Sequence, residues 1–242
     1  MRCTHPFLLA AIFLCFPLSA TGPSHAQTRP ATSAATTRPT GPARWEKEIA
    51  AFEAADRANP PAKGGIVFTG SSTIRGWKTL ARDFPDHHVI NRGFGGSQIA
   101  DSTHFAERII FPYAPRMVVL RAGGNDIHAG KSVAQVFADY QAFIAKVRQG
   151  LPDAEMVYIS MSPAPARWVE RDANKQLNAL IEAFSKTMPG LKYVETYDTT
   201  LTPQGTAREE LFVKDRLHFN EAGYNRLAER VRPALGSVTV TK

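Results

Sequence analysis

Residues 65–73 read Gly-Ile-Val-Phe-Thr-Gly-Ser-Ser-Thr, a short apolar run that ends in a glycine and hydroxyl side chains. Four more apolar runs follow along the chain, at residues 88–90, 117–120, 156–159 and 191–194. Each has the length and composition of a buried β-strand. Because stretches with helical periodicity lie between them, the five runs predict a parallel sheet that helices cover on both faces.

Two of the intervening stretches, 132–149 and 174–188, carry apolar side chains at spacings of three and four residues. This spacing is typical of amphipathic helices. Glycine and proline follow each stretch and predict its end. A last helix is expected to start near Asn220, and neither a repeat nor a second domain is expected in residues 44–242.

The N-terminal 26 residues are expected to be a signal peptide. Arg2 precedes an apolar run at residues 7–16 that is too short to span a membrane, and the small residues at 24–26 fit cleavage before Gln27. Residues 27–43 are rich in Thr, Ala and Pro, and we expect a flexible linker there. The protein is therefore expected to be secreted or periplasmic.

Both cysteines, Cys3 and Cys15, fall within the predicted signal peptide, so the mature chain is expected to have no disulfide. The formal net charge of the full sequence is +7. This charge favours contact with an anionic envelope surface, although basic side chains spread over the molecule explain it better than a specific patch does. No stripe of interleaved basic and aromatic residues is present, so nucleic acid is not an expected partner. The sequence predicts no oligomeric state.

Polar and glycine-rich segments follow the predicted strands. They are Gly70-Ser71-Ser72 after the first strand, residues 91–96 after the second, Gly123-Gly124-Asn125-Asp126 after the third, and Asp215-Arg216-Leu217-His218 before the last helix. Each segment alone is ambiguous, because serine caps helices and glycine forms turns. Together they supply a nucleophile, a base, an orienting acid and hydrogen-bond donors, which are the groups that acyl transfer requires. Arg121, at the end of the third strand, is expected to form a structural ion pair, and the alternative is that it faces the site.

The order of these segments resembles that of the SGNH hydrolase superfamily, also called GDSL-type esterases. The chain is similar to its platelet-activating-factor acetylhydrolase-like and carbohydrate acetylesterase members. The resemblance implies a three-layer α/β/α sandwich, with a five-stranded parallel sheet in flavodoxin-like order. It also implies a carboxylic ester hydrolase that uses neither a metal nor an organic cofactor.

The resemblance carries over to individual residues. Ser72 matches the nucleophile, since it is the third residue of Gly70-Ser71-Ser72, and Ser71 stands where the family has aspartate. His218 matches the general base and Asp215 the acid that orients it. The oxyanion hole is expected to consist of the backbone N–H groups of Ser72 and Gly96 and the side-chain amide of Asn125.

The segments between these motifs are short, which favours an open site and a short acyl group, such as acetyl on a small ester or a carbohydrate. Within the superfamily, a lysophospholipid or lipolytic esterase and an acyltransferase are alternatives. A non-catalytic module that binds envelope or glycan is another. A flavin or nucleotide carrier, with residues 70–73 around a phosphate, would leave Asp215 and His218 unexplained.

Overall fold

The computed structural model describes residues 41–236. The predicted signal peptide lies outside these residues. Of the predicted linker, only residues 41–43 are described, and they belong to the 3-10 helix Gly41–Trp45. No helix within residues 41–236 is long and apolar enough to cross a membrane.

A parallel sheet of five strands forms the centre of the described domain, in the order β2-β1-β3-β4-β5. This is the flavodoxin-like order that the resemblance implies. Every predicted strand is present, and the strands are β1 (Ile66–Gly70), β2 (Val89–Gly93), β3 (Met117–Arg121), β4 (Glu155–Ile159) and β5 (Leu191–Val194). In β1 and β3 every residue is buried, as expected for strands covered on both faces.

The helices form the two outer layers. In chain order they are α1 (Glu46–Ala58), α2 (Ser72–Gly76), α3 (Leu80–Asp83), α4 (Ile99–His104), α5 (Ala106–Ile109), α6 (Gly124–His128), α7 (Val133–Gly150), α8 (Arg171–Ser185) and α9 (Glu221–Val231). Further 3-10 helices are Phe111–Tyr113, Pro165–Glu170, Tyr197–Thr200, Glu209–Leu211 and Arg232–Leu235. The predicted helix at 132–149 is confirmed within one residue at each end. The one predicted at 174–188 begins and ends three residues earlier, as α8.

Alternate strand residues enter two separate apolar cores. Val118 and Leu120 pack in the core that contains residues of α4, α7 and α8, whereas Met117 and Val119 pack in the core with residues of α2, α3 and α9. Because successive side chains of a strand point to opposite faces, this division makes the molecule a three-layer α/β/α sandwich. The predicted fold class is confirmed.

The last helix begins where the sequence predicts. The side chain of Asn220 accepts a hydrogen bond from the backbone N–H of Gly223 at 3.1 Å, which makes Asn220 the N-cap of α9. Tyr224 and Leu227 of α9 then pack in the core below β1 and β3. This packing places the Asp215-to-His218 segment, which precedes α9, beside the carboxyl end of the sheet.

Candidate active site

The turn after β1 distinguishes the two serines. Gly70 has φ 128°, and a Cβ at this position would lie 2.1 Å from the carbonyl oxygen of Arg121, so only glycine fits. Ser71 follows it, is 8% exposed, and donates its backbone N–H to Arg121 at 3.2 Å. Its carbonyl oxygen accepts hydrogen bonds from the first turn of α2. Ser71 therefore builds the turn, and the turn presents Ser72 as the first residue of α2.

Ser72, His218 and Asp215 form one hydrogen-bonded chain. The Oγ of Ser72 lies 2.9 Å from Nε2 of His218, and Nδ1 of His218 lies 2.6 Å from Oδ2 of Asp215. This arrangement has the imidazole donate to the carboxylate through Nδ1 and accept from the serine hydroxyl through Nε2. The structure thus brings together the three residues that the sequence predicts as nucleophile, base and acid.

Asp215 is held as an anion by neighbouring donors. Its side chain bonds the His218 ring, and its Oδ1 accepts the backbone N–H groups of His218 and Leu217, both at 2.9 Å. These hydrogen bonds lower the pKa of Asp215 to about 2, and the bond from the His218 ring has the largest effect. The carboxylate is 49% exposed and the imidazole 38% exposed, so the site is open to solvent, as the short segments predict.

Hydrogen bonds hold both the nitrogen and the oxygen of the Asn125 side-chain amide. Its Nδ2 donates to the carbonyl oxygen of Ser97 at 2.9 Å, and its Oδ1 accepts from Nη1 of Arg167 at 2.9 Å. An amide nitrogen carries two hydrogens, so the second N–H of Asn125 stays available to a ligand. The cavity that Asn125 lines is also lined by Ser72.

Gly96 lies in the turn between β2 and α4. Its φ of 78° is left-handed, and a Cβ at this position would come within 3.2 Å of the Trp45 ring. The next residue, Ser97, donates its hydroxyl to the carbonyl oxygen of Gly70 at 3.2 Å, which ties this turn to the end of β1. Among residues 41–236, neither the backbone N–H of Gly96 nor that of Ser72 has a backbone acceptor. Of the three expected oxyanion donors, these two backbone N–H groups are therefore not used by the backbone hydrogen bonds of the described residues.

Comparison with known proteins identifies the chain. The model of the GDSL-like lipase/acylhydrolase family matches residues 55–226, which include the serine, the asparagine and the aspartate–histidine pair. The chain belongs to this family. It is a carboxylic ester hydrolase, as the resemblance implies. No curated protein matches the sequence.

Solved structures share the fold of this GDSL-like acylhydrolase. A Streptococcus pneumonia protein provisionally described as a platelet activating factor is 18% identical, with a TM-score of 0.71 over 80% of this chain and 94% of its own. A GDSL-like lipase from Bacteroides thetaiotaomicron is 21% identical, with a TM-score of 0.62 over 80% and 96%. A catalytic mutant of an acetylxylan esterase from Geobacillus stearothermophilus is 15% identical, with a TM-score of 0.56 over 73% and 96%.

The cavity of this acylhydrolase at Ser72 is small and polar. Its volume is about 60 Å³, room for a few water molecules. Besides Ser72 and Asn125, its lining includes Arg121, Met161, Arg167 and Glu170.

The expected ion pair of Arg121 is absent from the described part of the chain. Arg121 is 2% exposed, and its guanidinium instead donates to neutral oxygens, the carbonyl of Ser160 and the hydroxyls of Thr196 and Ser162. Burial lowers its pKa to about 10. The prediction fails because the ends of β4 and β5 surround Arg121 with enough hydroxyl and carbonyl groups to satisfy most of its donors without a carboxylate.

Two residues of the site were not singled out from the sequence. Arg167 and Ser97 hold the amide of Asn125 from its two sides. Ser97 directly follows the glycines of 91–96, which is a weak signal. For Arg167 no local signal exists, because the partner of an arginine in a loop depends on how the loop folds.

Proposed function

We propose that the protein is a secreted serine esterase that hydrolyses short-acyl carboxylic esters through an acyl-enzyme on Ser72. The observation that supports this most is the continuous hydrogen-bonded chain from Ser72 Oγ through His218 to Asp215, with distances of 2.9 and 2.6 Å. Nucleophile, base and orienting acid in this geometry are the requirements of serine acyl transfer.

In the first half-reaction, Ser72 Oγ attacks the carbonyl carbon while His218 Nε2 takes the hydroxyl proton. Asp215 stabilises the imidazolium that forms and holds its orientation. The carbonyl oxygen becomes an anion and accepts hydrogen bonds from the backbone N–H groups of Ser72 and Gly96 and from the free N–H of Asn125. His218 then protonates the leaving alcohol, and the acyl group stays on Ser72.

In the second half-reaction, water takes the place of the alcohol. His218 removes a proton from the water as it attacks the acyl carbon, and the same donors stabilise the second oxyanion. The proton returns to Ser72 Oγ as the carboxylic acid leaves. All of these proton transfers are served by one imidazole, so the mechanism needs no metal and no organic cofactor.

Three observations favour a short acyl group on a small or carbohydrate alcohol. The cavity beside Ser72 holds about 60 Å³ and is lined by polar and charged side chains. The histidine and aspartate are open to solvent, which leaves room for a bulky alcohol outside the cavity. One structural neighbour is an acetylxylan esterase. Export is proposed from the N-terminal sequence, and contact with an anionic envelope from the net charge of +7.

The test compares turnover of p-nitrophenyl acetate by the protein, Ser72→Ala and Ser71→Ala. We expect Ser72→Ala to lose about a thousandfold or more in kcat and Ser71→Ala to keep most of it. Mass spectrometry after brief exposure to substrate should find an acetyl group on the peptide that contains Ser72. Turnover that is unchanged in Ser72→Ala would refute the acyl-enzyme, and would direct attention to the glycan-binding alternative.

A further inference from the structure

Arg167 lies in the 3-10 helix Pro165–Glu170, which follows β4 at the rim of the cavity. Its Nη1 donates to Oδ1 of Asn125 at 2.9 Å and lies 3.4 Å from the carbonyl oxygen of Gly124. The side chain is half-buried, and among residues 41–236 its guanidinium forms no ion pair with a carboxylate. The charged guanidinium therefore lies against the amide oxygen of Asn125.

The partners of Asn125 leave its amide only one orientation. Arginine can only donate a hydrogen bond and a backbone carbonyl can only accept one. Arg167 on one side and Ser97 on the other therefore require Oδ1 to face the Arg167 guanidinium and Nδ2 to face the Ser97 carbonyl oxygen. Rotating the amide by 180° would place two donors together and two acceptors together.

The arrangement also affects the strength of the Asn125 donor. A cation beside an amide oxygen draws electron density from the amide nitrogen, so its remaining N–H becomes a stronger donor. When an oxyanion forms next to that N–H, the cation, the amide dipole and the anion are aligned in series. The stabilisation is larger in the transition state than in the ester, because the negative charge exists only there.

We propose that Arg167 is a positioning residue of the oxyanion hole, which acts by orienting and polarising the Asn125 amide and not by binding the substrate. The inference rests on the proposed function, since it assigns Asn125 to that hole. Arg167 would then act on kcat and not on KM, and only through Asn125.

The experiment is a double-mutant cycle on p-nitrophenyl acetate hydrolysis with Arg167→Met, Asn125→Ala and the double variant. We expect Arg167→Met to lower kcat by roughly ten- to a hundredfold with KM within about threefold of the original. Asn125→Ala should lower kcat by about a hundredfold or more, and adding Arg167→Met to it should change kcat by less than about twofold. Arg167→Lys should restore part of the lost kcat.

Two controls accompany the cycle. Lys175→Met removes an equal charge from the exposed side of α8 and should leave kcat unchanged. Melting temperatures detect a variant that has lost its fold, and if Arg167→Met is such a variant, Arg167→Gln replaces it in the cycle.

The cycle has outcomes that overturn the inference. An equal loss from Arg167→Met with and without Asn125→Ala would show that Arg167 acts independently of Asn125. A raised KM with unchanged kcat would make Arg167 a substrate-binding residue instead. If Asn125→Ala had no effect, Asn125 would not belong to the oxyanion hole and the inference would be overturned. If Ser72→Ala had no effect, the proposed function itself would fail, and that result is distinguishable from a failure of Arg167 alone.

Discussion

The carbonyl oxygen of Arg216 accepts a hydrogen bond from the backbone N–H of Ala166 at 3.0 Å. The bond joins the loop after β4 to the segment that carries Asp215 and His218. Arg216 has φ 58°, a left-handed backbone conformation that is uncommon for residues other than glycine. The Arg216 side chain points away to Glu209, with Nε 2.9 Å from Oε2. Arg216 therefore contributes to the site through its backbone, which bonds the loop after β4, whereas its charged side chain bonds Glu209.

The positive φ predicts that glycine is better than alanine at position 216. Both substitutions remove the exposed ion pair with Glu209, which contributes little, but only Arg216→Gly relieves the left-handed backbone strain. We expect Arg216→Gly to exceed Arg216→Ala in free energy of unfolding by about 1 kcal/mol. Urea denaturation measures the difference. Equal stability of the two variants would mean that the strain at this φ is no larger than the entropy that glycine adds to the unfolded chain.

The sequence predicts those parts of this site that depend on local rules. Strands and the loops that follow them are predicted from apolar runs and glycines, and Ser72, Gly96 and Asn125 lie in such loops. Asp215 and His218 lie just before the predicted last helix. The contacts of Arg121 and Arg167 could not be predicted, because they depend on how the loop after β4 folds against β3 and β5. The start of α8 at Arg171 has a different cause, since Arg171 and Asp172 are polar and add nothing to the apolar periodicity from which the helix is predicted.

The contact between Asp215 and His218 predicts a loss of rate without a loss of binding. In Asp215→Asn the amide cannot stabilise the imidazolium and permits the wrong tautomer, so we expect kcat for p-nitrophenyl acetate to fall by roughly a hundred- to ten-thousandfold. KM should change little. Glu209→Gln is the matched control, because it removes an exposed carboxylate that bonds Arg216 in the same region. A similar loss in both variants would point to net charge as the cause.

The cavity volume predicts a steep dependence on acyl length. We expect kcat/KM to be highest for p-nitrophenyl acetate and to fall at least about tenfold by the octanoate, because a cavity of about 60 Å³ does not hold the longer chain. Met161 lines this cavity, so Met161→Ala should move the preference toward longer acyl groups. Leu180→Ala, at an exposed position of α8, should not. Faster cleavage of the octanoate by the unmodified enzyme would favour the lipolytic alternative.

Asp126, the residue after Asn125, is a buried carboxyl group that makes the stability of the fold depend on pH. Its side chain is fully buried, and its carboxylate oxygens lie 3.3 Å from the backbone nitrogen of Ile99 and 3.2 Å from Nζ of Lys131. Burial raises the pKa of Asp126 to about 6, against the opposing effect of Lys131. The folded protein thus binds this proton more tightly than the unfolded chain does, where aspartate titrates near its ordinary value of about 3.9.

Because the pKa of Asp126 is higher in the folded state, its protonated form stabilises the fold at acid pH. This contribution to the free energy of unfolding is lost as the pH rises through about 6. Asp126→Asn has no such titration. We therefore expect the free energy of unfolding of the unmodified protein, relative to Asp126→Asn, to fall by about 2 kcal/mol between pH 4 and pH 7. Urea denaturation across this range measures it. Asp139→Asn, which removes the more exposed partner of Lys131, should show no comparable pH-dependent difference. A difference that grows with pH would mean that the Lys131 contact outweighs burial and that Asp126 is ionised throughout.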